Sequence, residues 1–142
     1  MTESSIKVSE IEIKKMQNTE PYRRPFSKLE VKFRFSDSQD YATHRSYVER
    51  VLTKVIPNSR ISSSCEYGGY HVRQNVNGSS TDKRTRFSIT DSSKPQEVLV
   101  QCYEIKPDLA KEYINKVINL LKNEFKEPGI EVKGESLLDG KN

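Results

Sequence analysis

Two histidines, two cysteines and a run of serines are the side chains of this sequence best suited to covalent or proton-transfer chemistry. None of them stands in a reactive pattern. His44 falls on the apolar side of a stretch with 3–4 spacing, beside Tyr41, Tyr47 and Val48, and Asp40 is its one acidic neighbour at helical spacing. A general base needs a proton within hydrogen-bond reach and a partner to orient it. A histidine at the rim of a core fits this spacing better. His71 has Arg73 as its nearest same-side neighbour in an alternating stretch, which suits phosphate contact better than proton transfer. Cys65 and Cys102 form neither a Cys-x-x-Cys pair nor a zinc-ligand spacing. They are expected as two thiols packed in or near the core. "SSSC" (62–65) offers nucleophiles without a base nearby in sequence, and "EYGGY" (66–70) lacks the Lys-Ser/Thr ending of a phosphate loop. Asp37, Asp40 and Glu49 lack the spacing of a cation-binding loop and read as helix caps and solvated helix surface. The expectation is therefore a protein without catalytic residues, metal or cofactor.

What remains is a concentration of cations in one alternating segment. From Tyr67 to Asp91, apolar and cationic residues alternate on both sides of a Gly/Ser turn marked by Asn77-Gly78, with Val72 and Val76 on the side of Tyr70 and Gln74. Thr85, Phe87 and Ile89 share one side of the return strand, while Arg84, Arg86 and Ser88 share the other. With Lys32 and Arg34 from an earlier strand, and His71, Arg73 and Tyr103, these residues predict a basic face: Lys32, Arg34, His71, Arg73, Arg84, Arg86 and Tyr103. Arginine presents a planar fork to phosphate, and His71 and Tyr103 add stacking surface. A second cluster, "PYRRPF" (21–26), sets Tyr22, Arg23, Arg24 and Phe26 between two prolines. Aromatic residues beside arginines in a restricted loop suit a partner-binding contact.

The elements that must position these residues follow from hydrophobic period. "LEVKFRF" (29–35) alternates strictly and predicts a strand with Leu29, Val31, Phe33 and Phe35 inward. "SDSQD" supplies caps for a helix over about 39–55, ended by Pro57. "SRISSSCEYGG" is a weak segment, a loop or short strand. The hairpin follows, then a strand in "QEVLVQCYEI" with Val98, Val100 and Cys102 inward. Pro107 opens a second helix whose Leu109, Tyr113, Val117, Leu121 and Phe125 recur every four residues. "IEV" (130–132) is a short final strand. "IKVSEIEIKKM" reads as an edge strand or ordered arm, its phase slipping between Val8 and Ile11.

These elements predict an α+β fold: a mostly antiparallel sheet of four to five strands with two helices packed on one face. The element order is similar to a ferredoxin-like split β-α-β arrangement with additions. Residues 1–20 are expected as an arm or edge strand, 21–134 as a single domain and 135–142 as a polar tail. The chain has 142 residues, enough for one core, and a net charge of +4, a mild bias toward anionic partners. No stretch approaches the ~20 apolar residues of a membrane span, and the free thiols suit a reducing compartment, so a cytoplasmic location is expected.

Three readings of the basic face follow. The first is a non-enzymatic module that binds nucleic acid, single-stranded or RNA. The usual aromatic pairs of ferredoxin-like RNA-binding sheets are replaced here by Arg and Lys, so contacts to the backbone are expected over base stacking. The second is a protein-interaction module, an inhibitor, immunity or regulatory protein, or a homodimer. The third is a binder of a small phosphorylated ligand. Against all three stands a solvated face whose cations only discourage aggregation.

Overall fold

The computed structural model describes residues 6–15, 29–56, 59–64, 69–74, 85–90, 94–104, 107–127 and 129–138. The strands are β1 (Val8–Lys15), β2 (Leu29–Phe35), β3 (Ser59–Ser64), β4 (Gly69–Gln74), β5 (Thr85–Thr90), β6 (Glu97–Glu104) and β7 (Glu131–Lys133). The helices are α1 (Tyr41–Val55), between β2 and β3, and α2 (Pro107–Glu124), between β6 and β7. All seven strands belong to one sheet, in the order β3-β4-β5-β6-β2-β1-β7. The protein is thus α+β, with one sheet and two helices.

The sheet departs from the sequence expectation in size and in kind. It has seven strands rather than four or five, and it is mixed, because β7 runs parallel to β1. β3, read from sequence as loop or short strand, pairs with β4 along its whole length. β1 lies between β2 and β7 instead of at an edge. Its slipped phase has a physical cause: the β1–β2 register shifts between Val8 and Glu10, leaving Ser9 as the extra residue of a bulge. Val8 and Ile11 therefore both face the core. The chain after β7 continues into a 3-10 turn over Glu135–Leu138, and Leu137 and Leu138 pack against the core where a polar tail was expected.

The core lies between one face of the sheet and both helices. Ile11, Val31, Phe33, Phe87 and Val100 of the sheet surround the same small gap as Leu52 of α1 and Ile114, Val117 and Ile118 of α2. Both helices thus cover the same sheet face. β2 follows its alternation without exception, with Leu29, Val31, Phe33 and Phe35 buried. Cys102 is a buried free thiol; Cys65 lies outside the described residues.

The start of α1 is built around His44. Asp40 caps the helix, its Oδ1 accepting the Thr43 N–H at 2.9 Å. One turn in, the His44 ring is fully buried and stacked on Phe35, with centroids 4.0 Å apart. Its Nδ1 lies 2.7 Å from the carbonyl of Pro95, and its Nε2 lies 2.7 Å from Oδ2 of Asp37. Both partners are acceptors, so the two bonds form together only when both ring nitrogens carry a proton. Asp37 in turn accepts the backbone N–H groups of Lys7 and Gln39. Burial pushes the Asp37 carboxyl up, but the bonds from Lys7, His44 and Gln39 outweigh it and hold the group below its ordinary value. His44 thus ties α1 to the turn before β6 and to the entry of β1. Its partner is Asp37, outside the helix, and not Asp40. The second buried polar residue, Glu49, is raised by burial against the attraction of Arg45 and Arg50.

Gly134 lets the end of the chain close over β1. Its φ is +81°, and a Cβ placed there would lie 2.1 Å from the backbone oxygen of Ile13. Gly134→Ala should therefore destabilise by more than the ~1–2 kcal/mol of a left-handed backbone alone, because backbone must also shift. A melting temperature within a degree of wild type would show that β7 is not held where β1 meets it.

Candidate functional site

The face of the sheet opposite the helices is read most directly in rows of paired residues. Side chains alternate along each strand, so the register groups the residues into rows, and on β1, β2 and β6 the rows that alternate with the core rows make up this outer face. One row runs Arg60, Arg73, Arg86, Tyr103 across β3, β4, β5 and β6. The next runs Ser62, His71, Ser88, Gln101, Glu30, Lys14. Beyond it lie Thr90, Leu99, Lys32, Glu12 and Lys133, and then Glu97, Arg34, Glu10 and Glu131.

The rows differ in composition between the two halves of the sheet. On β6, β2, β1 and β7 the charges are interleaved. Arg34 lies 3.6 Å from Glu10, 3.8 Å from Glu12 and 3.5 Å from Glu97. Lys133 reaches Glu10 at 3.6 Å and Lys14 reaches Glu12 at 3.7 Å. These distances describe ion pairs, and the Arg34 Nε and Glu10 Oε2 atoms make no hydrogen bond. A phosphate approaching Arg34 would meet three carboxylates. Lys32 has Glu12 and Leu99 as its cross-strand neighbours, and it makes no ion pair among the described residues.

On β3, β4 and β5 the composition is different. The strand sequences SRISSS, GYHVRQ and TRFSIT contain Arg60, His71, Arg73 and Arg86 and no Asp or Glu. Three arginines stand directly opposite one another in adjacent strands. Strands are ~4.8 Å apart, so the row from Arg60 to Tyr103 spans about 14 Å. Like charges directly opposite in a sheet are destabilising, which sets this composition apart from that of the other strands.

Of the residues expected at the site, Arg73, Arg86 and Tyr103 share one row and His71 sits in the next. Lys32 and Arg34 belong to the other half of the sheet. Arg84 and the loop residues Tyr22, Arg23, Arg24 and Phe26 lie outside the described residues. Arg60 was missed in sequence. It sits in a segment with a single apolar residue, Ile61, so no alternation marked it as strand; only pairing with β4 places it opposite Arg73.

Comparison with known proteins returns no matching family model, no matching curated protein and no matching solved structure. The site therefore has to be read from its own chemistry. Among the described residues no group of three or more His, Cys, Asp or Glu is placed to hold a metal ion, and no helix is long and apolar enough to cross a membrane.

Proposed function

We propose that this protein is a non-enzymatic binding module that takes a nucleic acid, single-stranded or RNA, along the β3-β4-β5 half of its sheet. The observation that carries the reading is the row Arg60–Arg73–Arg86, a line of like charges on three strands that contain no carboxylate. A polyanion laid across the row relieves its repulsion and gains charge-assisted bonds to guanidinium groups. Such contacts go to phosphate and carry no base information. Tyr103 at the end of the row and His71 beside it supply the stacking types that single strands use. Lys32 extends the positive potential toward β2.

The test is a fluorescence anisotropy titration of labelled single-stranded RNA and DNA at several salt concentrations. Arg60→Ala, Arg73→Ala and Arg86→Ala should each weaken binding across unrelated sequences, and each should reduce the salt slope by about one. Stability should change by no more than ~0.5 kcal/mol per substitution. A wild-type affinity no tighter than that of the triple variant would remove the reading.

A protein partner or a second copy of the chain is favoured by one further feature. Among the described residues β3 is an edge strand, and a sheet edge can pair with a strand from a partner. Self-association that is lost in the triple variant, with no nucleic-acid binding in wild type, would establish this second reading. A small phosphorylated ligand would compete in the same titration at low salt.

A further inference from the structure

A cleft opens at the other side of the molecule, where both helices end beside the start of β1. Its volume is about 620 Å³, within the range of ~300–1,000 Å³ typical of small-molecule sites. The floor is apolar: Ile6, Val8 and Val51 are buried, and Leu120 and Phe125 are half-buried against them. The rim is cationic. Lys7, Arg50, Lys54 and Lys126 line the cleft, against the carboxylates of Glu124 and Glu127. Glu124 is engaged by the hydroxyl of Tyr47, and the Arg50 guanidinium lies 5.8 Å from the centre of the Tyr47 ring.

The fold explains the four cations only in part: Arg50 lies over the Tyr47 ring and attracts the Glu49 carboxylate. Among the described residues, none of Lys7, Arg50, Lys54 and Lys126 makes an ion pair, although many other lysines and arginines of the molecule do. Lys54 does oppose the dipole of α1 from its last turn. That accounts for one of them. Lys7, Arg50 and Lys126 come from the entry to β1, the middle of α1 and the segment after α2, and the cleft brings them together with Lys54.

We infer that this cleft binds a small amphipathic anion, an apolar chain or ring system headed by a carboxylate or a phosphate monoester. The apolar body lies on Ile6, Val8, Val51, Leu120 and Phe125. The head lies at the rim between Arg50 and Lys54, where Arg50 can donate two parallel bonds to either kind of head group. An uncharged ligand of the same shape would leave the cations unanswered, and a small anion without an apolar body would leave the floor wet. The site is separate from the arginine row, which belongs to β3, β4 and β5, whereas the cleft is lined by the start of β1, the two helices and the segments beside them, so the two readings stand or fall independently.

The probe is 8-anilinonaphthalene-1-sulfonate, itself an aromatic anion, followed by its fluorescence. Decanoate and decyl phosphate, both below their micelle concentrations, should displace it, and whichever competes at the lower concentration identifies the head group. Decanol and acetate should not. Arg50→Ala/Lys54→Ala removes two exposed side chains and should leave the melting curve unchanged while weakening the better anion by tenfold or more, the loss expected for one charge-assisted bond. Displacement by decanol as effective as by decanoate would overturn the inference, as would equal affinity in the double variant. Probe release that tracks protein concentration instead of added anion would show that a second copy covers the cleft, and would overturn it too.

Discussion

Phe87→Ala should lower the free energy of unfolding by about 3–5 kcal/mol, the range for truncating a buried ring to alanine. Phe87 is 1% exposed. It faces the gap shared by Leu52 of α1 and Val117 of α2, so little of the lost volume can be refilled without moving a helix. The ring also holds the strand that matters most for the proposed site. Phe87 and Ile89 of β5 are buried, and Arg86 sits between Thr85 and Phe87 on the same strand. Urea denaturation followed by circular dichroism gives the cost directly. A loss below about 1 kcal/mol would mean that the ring is dispensable and that β5 is held by its neighbours alone. If the destabilised variant stays folded, its nucleic-acid affinity should fall as well, although no cation has been removed.

His44→Ala should be comparably damaging, on the order of 3–5 kcal/mol, because it removes one member of a buried, hydrogen-bonded pair. The Pro95 carbonyl and the Asp37 carboxylate each lose a bond, and the face of Phe35 loses its stacked ring. Acid titration adds a second check. The Asp37 carboxyl is held below its ordinary value in the fold, so the folded state binds fewer protons than the unfolded state in that window. Its contribution is complete above the unfolded value of about 3.8 and disappears as the pH falls through the lower folded value. Asp37→Asn should flatten the part of the stability profile that lies below the unfolded value of about 3.8 and leave the midpoint lower at pH 7. Superimposable acid profiles for Asp37→Asn and wild type would show that the carboxylate contributes nothing to the join between β1, α1 and β6.

Periodic elements were legible in the sequence because burial is imposed on them one residue at a time. "LEVKFRF" alternates so strictly that only one face is available to the core, and Tyr113, Val117 and Leu121 mark the inner stripe of α2 in the same way. Contacts between remote segments left no such mark. The partner of His44 sits seven residues earlier, before the helix begins, and its other acceptor belongs to the turn at Pro95. The ion pairs of Arg34 depend on the registers of β1 and β6, which no single strand reveals. β7 has three residues and a parallel partner at the other end of the chain, too little pattern for its place to be inferred. The cationic residues were legible as residue types. Which of them share a row was not, because that is a property of strand order and register.

The pairing of β1 with β7 also sets a constraint in time. Glu10, Ile11 and Glu12 stand beside Glu131, Val132 and Lys133, nearly the whole chain away. On a ribosome, β1 can join β2 early, but its second edge must wait until almost all of the chain has emerged. Closing so large a loop is entropically costly and slow, and an open strand edge during that wait invites pairing with other nascent chains. β1 carries Glu10, Glu12, Lys14 and Lys15 along its length. Before the sheet is complete, the charges that later hold Arg34 and Lys133 would keep that edge from finding the wrong neighbour.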